Sequence, residues 1–253
     1  MQTQIKIENL TKTFLTANGK LKALDNISLE INQGDCIVVA GENGSGKSVL
    51  MSIIAGLENP DSGTVTFDQS LTKSTGNKSR PPVGLVFQEA ETQILGETPA
   101  EDISFGPKNL GMKKDAVELA VKNALEKTGL TAKADFPARF LSGGEKRRLA
   151  VACMLAMNLP VIILDEPFAN LDYSGVKQVN ALIEQLKTDG HTVIILTHEI
   201  EKCLGLANRF IVLFRGNKVF DGTPGLGLEQ NLEQWNIRNP IVDYKSVSDL
   251  IWR

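Results

Sequence analysis

The chain has few cysteines, few aromatic residues and little net charge. Its three cysteines, Cys36, Cys153 and Cys203, are odd in number and lack metal or redox spacing, so we expect small buried residues in a reducing compartment. The formal net charge of −3 provides no basic surplus for binding DNA or RNA. No stretch approaches the ~20 apolar residues of a membrane span, and the N terminus lacks a signal pattern. We therefore expect a cytosolic protein whose membrane role, if any, comes through partners.

The most informative segment is a glycine-rich loop. Residues 41–48 read Gly-Glu-Asn-Gly-Ser-Gly-Lys-Ser, a match to the phosphate-loop pattern G-x-x-x-x-G-K-[ST]. The loop follows an apolar strand over 36–40 and opens a predicted helix over 48–57. Its glycines allow consecutive N–H groups to form an anion-binding concavity at a helix N terminus. A glycine-rich turn with a chance Lys-Ser is the alternative, but the flanking elements favour a nucleoside triphosphate site.

Charged and hydroxyl side chains supply the chemistry that such a site needs. Lys47 is placed to reach the β- and γ-phosphates, and Ser48 to ligate Mg²⁺. Asp165 and Glu166 end an apolar run that predicts a buried parallel strand. We expect Asp165 to hold the magnesium shell and Glu166 to polarise an attacking water. The alternative is a strand end followed by a helix N-cap, which Pro167 fits equally well.

A second phosphate-binding helix terminus is predicted at residues 141–145, Leu-Ser-Gly-Gly-Glu. Ser142 is a candidate N-cap, and the amides of Gly143 and Gly144 are free to bind an anion. Because one nucleotide does not need two such termini, we expect this helix to cover the γ-phosphate bound by another copy. His198, at the end of a predicted strand over 192–197, lies where a γ-phosphate contact is expected, although a strand-end histidine is more often structural.

Taken in order, these motifs resemble the ATP-binding cassette (ABC) ATPase family over roughly residues 5–224. The match includes Gln88 after the strand over 83–87, and Ala-Asn-Leu-Asp at 169–172 where the family usually has Ser-Ala-Leu-Asp. The resemblance implies that Phe14 stacks on adenine in place of the more common Tyr, that Gln88 couples magnesium and water to the partner, and that Asp172 lies across a dimer seam.

The resemblance also implies a complete set of site residues and two cofactors, ATP and Mg²⁺. The predicted ATP-binding residues are Phe14, Gly41, Asn43, Gly44, Ser45, Gly46, Lys47, Ser48, Gln88, Ser142, Gly144, Asp165 and His198. The predicted metal ligands are Ser48, Gln88 and Asp165, and the predicted catalytic residues are Glu166, His198 and Gln88.

The predicted fold is α/β: a P-loop ABC cassette with a mixed core sheet, an N-terminal antiparallel β subdomain and a helical subdomain. We expect the cassette over 1–224, its helical subdomain over about 89–157, and a C-terminal extension over 225–253 that packs on the cassette or on a dimer partner. The predicted elements are a hairpin of 5–7 and 27–31 turning at Asn18-Gly19, a third strand at 63–67, a mobile loop at 71–82, amphipathic helices at 113–128 and 174–189, and a hairpin at 209–220.

Residues 84–111 narrow the resemblance to the ATPase components of energy-coupling factor (ECF) transporters, including cobalt and biotin importers. That group typically has Phe-Gln-Asn-Pro-Glu-Asp-Gln here; in this chain Glu89 and Ala90 replace Asn-Pro, and Thr92 replaces the second acid. The segment 105–111, Phe-Gly-Pro-Lys-Asn-Leu-Gly, is close to the pattern. The alternative is a conventional ABC importer whose sequence has drifted in this region.

The expected function is therefore ATP hydrolysis that powers import of a small solute, a vitamin or a transition-metal ion. The expected partners are a second ABC ATPase subunit, identical or paralogous, and membrane subunits that place the chain at the cytoplasmic face of the membrane, with no nucleic acid. We expect docking near residues 88–96, where Glu89 and Glu91 would form an acidic rim beside Ile94 and Leu95. A soluble ABC ATPase acting on DNA or ribosomes, and a regulatory subunit without turnover, remain as alternatives.

Overall fold

The computed structural model describes residues 2–17, 19–68 and 81–241, and the backbone of 74–75 and 78–79. The strands of this part of the chain are β1 (Thr3–Thr16), β2 (Gly19–Asn32), β3 (Cys36–Ala40), β4 (Ser62–Phe67), β5 (Ser74–Thr75), β6 (Lys78–Ser79), β7 (Val83–Val86), β8 (Val161–Asp165), β9 (Thr192–Leu196), β10 (Arg209–Phe214) and β11 (Asn217–Gly222). The helices are α1 (Lys47–Ile54), α2 (Pro99–Asn109), α3 (Lys114–Lys127), α4 (Gly143–Ala156), α5 (Tyr173–Thr188) and α6 (Pro224–Leu228).

The central sheet is mixed, as predicted, with the order β11-β10-β3-β9-β8-β7. The strands from β10 to β7 run parallel, and only the edge strand β11 pairs antiparallel. Strands β3, β7 and β9 are buried along their whole length, because helices and the second sheet leave neither face of the central sheet to water. The carboxyl ends of the five parallel strands consequently meet at one edge of the sheet.

A second, antiparallel sheet forms the predicted N-terminal β subdomain. Its order is β2-β1-β4, and the hairpin closes where Thr16 pairs with Gly19. Gly19 has a φ of 111°, a backbone region that glycine adopts without steric cost. Asn18 lies outside the described residues, as does most of the predicted loop at 71–82, in which β5 and β6 form a two-residue antiparallel ladder.

The helical subdomain consists of α2, α3 and α4 around its own apolar cluster. The members of this cluster include Ile103 of α2, Leu125 of α3 and Leu149 of α4. Helix α3 matches the amphipathic helix predicted at 113–128. Helix α2 was not predicted as a helix, because Gly106 and Pro107 interrupt its sequence; it begins at Pro99, capped by the side chain of Thr98. The domain boundaries remain a prediction.

Two elements end earlier than the sequence pattern predicts. Helix α1 ends at Ile54 rather than Leu57, because Gly56 takes a left-handed φ of 72° and its N–H bonds the carbonyl of Ile53. Strand β8 ends at Asp165, and Glu166 follows with a φ of 44°. Glu166 therefore lies outside the strand, and its side chain does not follow the alternating directions of the strand's side chains.

The described part of the C-terminal extension covers the cassette's own core, one of the two arrangements expected. Leu232 and Ile237 belong to the same buried cluster as the central sheet, and the Trp235 ring lies 6.4 Å from that of Phe220. Trp252 lies outside the described residues, and so do Val242 and Leu250. The three cysteines are free thiols. Among the described residues, no helix combines the length and the apolar character that crossing a membrane requires.

Candidate nucleotide-binding site

Four parallel strands bring predicted site residues to the same edge of the central sheet. Strand β3 leads into the phosphate loop, β7 into Gln88, β8 into Asp165 and Glu166, and β9 into His198. Their register places Val86 beside Leu164 and Asp165 beside Leu196. Ligand sites of open α/β sheets lie at this carboxyl edge. Four motifs that are far apart in sequence thus converge because the strands are parallel and adjacent.

The phosphate loop needs glycine at particular positions. Gly41 has a φ of 154°, and a Cβ there would lie 2.2 Å from the carbonyl oxygen of Leu213. Gly46 has a φ of 103°, and a Cβ there would lie 2.5 Å from the carbonyl oxygen of Ala23. Ser45 is fully buried, and its hydroxyl has no hydrogen-bond partner within the described part of the chain. The loop therefore packs closely against the backbone of neighbouring strands. This close packing fixes the direction of its N–H groups.

Lys47 lies inside this loop with its ammonium already bound by backbone oxygens. Its Nζ donates to the carbonyl of Gly41 at 2.7 Å and to that of Glu42 at 3.2 Å. The residue is 6% exposed, and burial lowers the pKa of Lys47, against the opposing effect of Glu166, Asp165 and Glu42. The backbone oxygens hold the ammonium within the phosphate loop, and a charged donor at this position can form strong hydrogen bonds with phosphate oxygens.

Ser48 follows Lys47 at the end of the phosphate loop and Asp165 ends β8, so both lie at the carboxyl edge where the magnesium site is predicted. Burial raises the pKa of Asp165, and Ser48 and Lys47 oppose that effect. A cation bound beside Asp165 would favour its charged form, and hydroxyl and carboxylate oxygens are the ligands that Mg²⁺ prefers. No cluster of three or more His, Cys, Asp or Glu side chains that could hold a metal occurs among the described residues.

Glu166 is the most constrained side chain of the site. It is 7% exposed, and both carboxylate oxygens are engaged: Oε2 accepts from the Thr197 hydroxyl at 3.0 Å, and Oε1 lies 2.9 Å from Nδ1 of His198. Its positive φ is a strained conformation for a residue with a side chain, and such strain concentrates at functional sites. The alternative in which Glu166 begins a helix is wrong, since the next helix, α5, starts at Tyr173.

Thr197 is a site residue that sequence reasoning did not single out. Its buried hydroxyl donates to Glu166 and accepts from the backbone N–H of Glu199 at 3.0 Å. It therefore ties the carboxylate to the strand end that carries His198. The only sequence signal was its position beside His198, where it read as the last residue of a strand.

Ser142 begins a helix as predicted, but the structure does not bring it to the chain's own phosphate loop. Ser142 and Glu145 form a capping box: the Glu145 N–H donates to Ser142 Oγ at 3.3 Å and the Ser142 N–H to Glu145 Oε2 at 2.8 Å. Ser142 and Gly143 are exposed. Within the described ranges, no hydrogen bond or ion pair joins residues 142–144 to residues 41–48.

The contacts of Phe14 and Asp172 in the described part of the chain are local. Phe14 is half-buried in the β1–β2 hairpin, where the Lys12 ammonium lies 5.2 Å from its ring centre. Asp172 is the N-cap of α5, with Oδ1 accepting the Gly175 N–H at 2.7 Å. Their predicted contacts with adenine and with a dimer partner stay predictions.

The segment from Gln88 to Gly96, predicted as a docking surface, is hydrogen-bonded to strand β7 and to the residue after it. The Gln93 side chain closes it, because Oε1 accepts the Phe87 N–H at 2.9 Å and Nε2 donates to the Leu85 carbonyl at 2.9 Å. Of the predicted acidic rim, Glu91 forms an ion pair with Lys146 at 2.6 Å, which lowers the pKa of Glu91, and its side chain is 64% exposed. Glu89 is exposed and has no side-chain partner in the described residues.

The predicted apolar floor of that segment is also different. Ile94 packs into the cluster of the helical subdomain, whereas Leu95 is 77% exposed. A separate concavity of about 780 Å³ lies between α2 and α3, with Val117, Val121 and Leu125 in its lining. It contains none of the predicted nucleotide-binding residues, so it is a feature of the helical subdomain and not the nucleotide site.

Comparison with known proteins agrees with this geometry. A model of the ABC transporter family matches residues 24–169. The energy-coupling factor transporter ATP-binding protein EcfA2 of Thermotoga maritima is 44% identical over 204 residues, which cover 80% of this chain and 76% of that protein. The structure of cbiO1 from Clostridium perfringens, described as part of the ABC transporter complex cbiONQ, matches with a TM-score of 0.79 at 31% identity, covering 95% and 97% of the two chains.

A further structural match links the fold to nucleotide chemistry. The ATP-binding cassette MJ0796, in a dimeric post-hydrolysis state bound to ADP and Pi, matches with a TM-score of 0.74 at 27% identity, covering 87% of this chain and 98% of that one. The resemblance to ECF ATPase components and the predicted cassette fold are thereby confirmed. The chain is a nucleotide-binding ATPase that belongs to the ABC transporter family.

Proposed function

We propose that this chain dimerises around ATP and hydrolyses it to power an ECF-type importer of a small solute. The observation that carries the proposal is the division of the site. In one half, Gly41, Ser45, Gly46, Lys47 and Glu166 are buried, and Lys47 and Glu166 are hydrogen-bonded to neighbouring residues. In the other half, Ser142 and Gly143 at the start of α4 are exposed, and among the described residues Ser142 bonds only Glu145 and Lys146 of its own helix. Two copies, or this chain and a paralogue, would each complete the other's nucleotide site.

The side chains of the site have distinct parts in the proposed mechanism. The phosphate-loop amides and Lys47 bind the β- and γ-phosphates, and Ser48, Asp165 and Gln88 would hold Mg²⁺, which supplies charge neutralisation at the phosphates. Glu166 accepts the proton of the attacking water, with Thr197 and His198 holding its carboxylate in position. The remaining ATP contacts are those predicted from sequence: Phe14 on adenine, the loop residues around Asn43, and Ser142 and Gly144 of the second cassette.

The names of the relatives support the assignment to an importer. One is an ATP-binding protein of an energy-coupling factor transporter, and another is part of an ABC transporter complex with further components. We therefore propose membrane subunits as partners, which would place the chain at the cytoplasmic face of the membrane. We propose no nucleic-acid partner. The docking surface we propose is the segment 88–96, with Glu89 and Leu95 as its exposed charged and apolar groups.

The dimer mechanism is tested with the variant Glu166→Gln. Removing a general base costs about 10²–10⁴ in rate, while the phosphate-loop contacts remain. We expect hydrolysis to be lost and ATP to trap a dimer that elutes early in size-exclusion chromatography. The double variant Lys47→Ala/Glu166→Gln is the control and should stay monomeric. The measurement is repeated with the cassette that co-purifies from native membranes; an ATP-bound Glu166→Gln chain that remains monomeric with every partner would contradict the shared site.

A further inference from the structure

Arg147 is a buried cation without an acidic partner. It lies one turn into α4 and is 8% exposed, and burial lowers the pKa of its guanidinium. No carboxylate among the described residues forms an ion pair with it. Taking a charge out of water is costly unless hydrogen bonds compensate for the lost hydration. Such a residue therefore has to be held by other acceptors.

The acceptors of Arg147 are two backbone carbonyls from different loops. Its Nη2 donates to the Ala169 oxygen at 2.7 Å and to the Gln88 oxygen at 3.4 Å. Its Nε is buried and has no hydrogen-bond partner among the described residues. The contacts lie beside a small cleft of about 170 Å³, which Gln88, Ala169 and Gly143 also line. The guanidinium thus sits where three segments meet.

Each of these segments carries a residue of the proposed mechanism. The carbonyl of Gln88 belongs to the segment that we propose as the docking surface. Ala169 is joined to the site by its N–H, which donates to the Glu166 carbonyl at 3.2 Å, and Asp172 lies three residues further on. Arg147 itself follows the helix terminus at Ser142 by five residues. One side chain therefore connects the docking segment, the loop of Glu166 and the helix that would cover a partner's nucleotide.

The neighbouring contacts make the docking segment a rigid part of this connection. Lys146 pairs with Glu91, and Gln93 bonds back to both Leu85 and Phe87. The segment is thus tied to α4 by two adjacent residues and to β7 by a third. We expect a displacement of the segment to move α4, because Lys146 and Arg147 of α4 both bond to the segment.

We propose that Arg147 is a positioning residue that transmits movement of the docking segment to the loop of Glu166 and to the Ser142 helix terminus. This inference rests on the proposed function, since it assigns a route between the docking surface and the hydrolytic site. Arg147 does not touch the phosphate loop among its hydrogen bonds, so the route affects turnover rather than ATP binding.

The chemistry of the residue supports a specific requirement for arginine. A guanidinium is planar and presents five N–H donors in a fixed arrangement, whereas a lysine ammonium is a compact point charge on a flexible stem. Arg147→Lys would keep the charge, but its ammonium ends a shorter, flexible stem and would not be held at the position of Nη2 between the two carbonyls. The next residue offers a matched control: Arg148 has the same charge on the same helix, but its guanidinium hydrogen-bonds Gln178 of α5.

The test compares Arg147→Met, Arg147→Lys and Arg148→Met in the transporter complex purified with its native partners. ATP affinity is measured with a fluorescent ATP analogue, turnover as kcat and KM of ATP hydrolysis, and stability as the unfolding midpoint Tm. We expect kcat to fall about 10–10²-fold in both Arg147 variants, because misplacement by about 1 Å can cost that much. We expect KM and ATP affinity to stay within about twofold of the parent, and Arg148→Met to keep its kcat.

Two results would overturn the inference. One is a loss of kcat in Arg147→Met that is matched by Arg148→Met or that accompanies an equal loss of ATP affinity, which would indicate a structural role. The other is full turnover in Arg147→Lys, which would show that charge alone suffices. Failure of the proposed function is distinguishable, because it appears as the absence of an ATP-trapped dimer in Glu166→Gln with Arg147 intact.

Discussion

The two phosphate-binding regions of this chain differ in how complete they are. At the carboxyl edge of the central sheet, Lys47 and Glu166 are buried and hydrogen-bonded to neighbouring residues. At the start of α4, Ser142 and Gly143 are exposed, and Ser142 bonds only Glu145 and Lys146 of its own helix among the described residues. Both regions are helix N termini with glycine, so the sequence motif alone does not distinguish them.

The difference follows from what surrounds each terminus. The phosphate loop lies between β3 and its neighbours, where an unpaired charge would be costly, and the Lys47 ammonium bonds the backbone carbonyls of Gly41 and Glu42. The α4 terminus lies at the surface of the helical subdomain, where Ser142 and Gly143 are exposed. A terminus that is exposed can serve a ligand only when another body supplies the opposite wall. We therefore expect substitutions in the phosphate loop to weaken ATP binding, and substitutions at the α4 terminus to reduce ATP hydrolysis while ATP still binds.

After Glu166→Gln, the largest expected effect is that of Ser142→Arg. The added side chain would obstruct the face that covers a partner's nucleotide, and losing such a charge-stabilising contact costs about 10²–10³ in kcat. ATP binding by the isolated chain should be unchanged, because residues 142–144 share no bonds with the phosphate loop. Steady-state hydrolysis and equilibrium binding of a fluorescent ATP analogue measure the two effects. A large loss of binding would place Ser142 in the chain's own site.

Lys47→Ala should weaken ATP binding, which Ser142→Arg should leave unchanged. The expected loss of ATP affinity is somewhat smaller than the loss of kcat in Ser142→Arg. Lys47→Ala removes a hydrogen bond to a charged group, worth about 1.5–3 kcal/mol, so ATP affinity should fall about 10-fold to 10²-fold. Lys47→Arg keeps the charge and serves as the matched control for loss of packing. Equal loss of affinity in Lys47→Ala and Ser142→Arg would remove the distinction between the two regions.

The sequence predicted most of this arrangement because its strongest signals are local. Strand β3 and the N-cap Ser142 lie where apolar runs and capping patterns place them. Contacts between distant segments were not predictable in the same way. Lys146 lies 55 residues from Glu91, and the acceptors of Arg147 are backbone carbonyls, which carry no sequence signature. The unpredicted helix α2 has a local cause, since Pro107 in its interior contradicts helix propensity.

The smallest expected effect is that of charge reversal at Glu89 in the docking segment, which should change assembly and leave ATP binding unchanged. Glu89 is exposed and unpaired in the described residues, whereas Glu91 is paired with Lys146, so charge reversal has different consequences at the two positions. Glu89→Arg should weaken assembly with the membrane subunits by a few-fold, because an exposed interface charge acts mainly on association. ATP binding and the Tm of the isolated chain should not change.

Glu91→Arg is the informative counterpart to that variant, because it places a second cation beside Lys146. We expect it to disturb α4 and the docking segment even in the isolated chain, and restoring the opposite charge with Glu91→Arg/Lys146→Glu should recover part of the loss. Co-purification from native membranes measures assembly, and thermal unfolding measures the isolated chain. Normal assembly of Glu89→Arg together with normal transport would place the docking surface outside residues 88–96, while leaving the division between the two phosphate-binding regions intact.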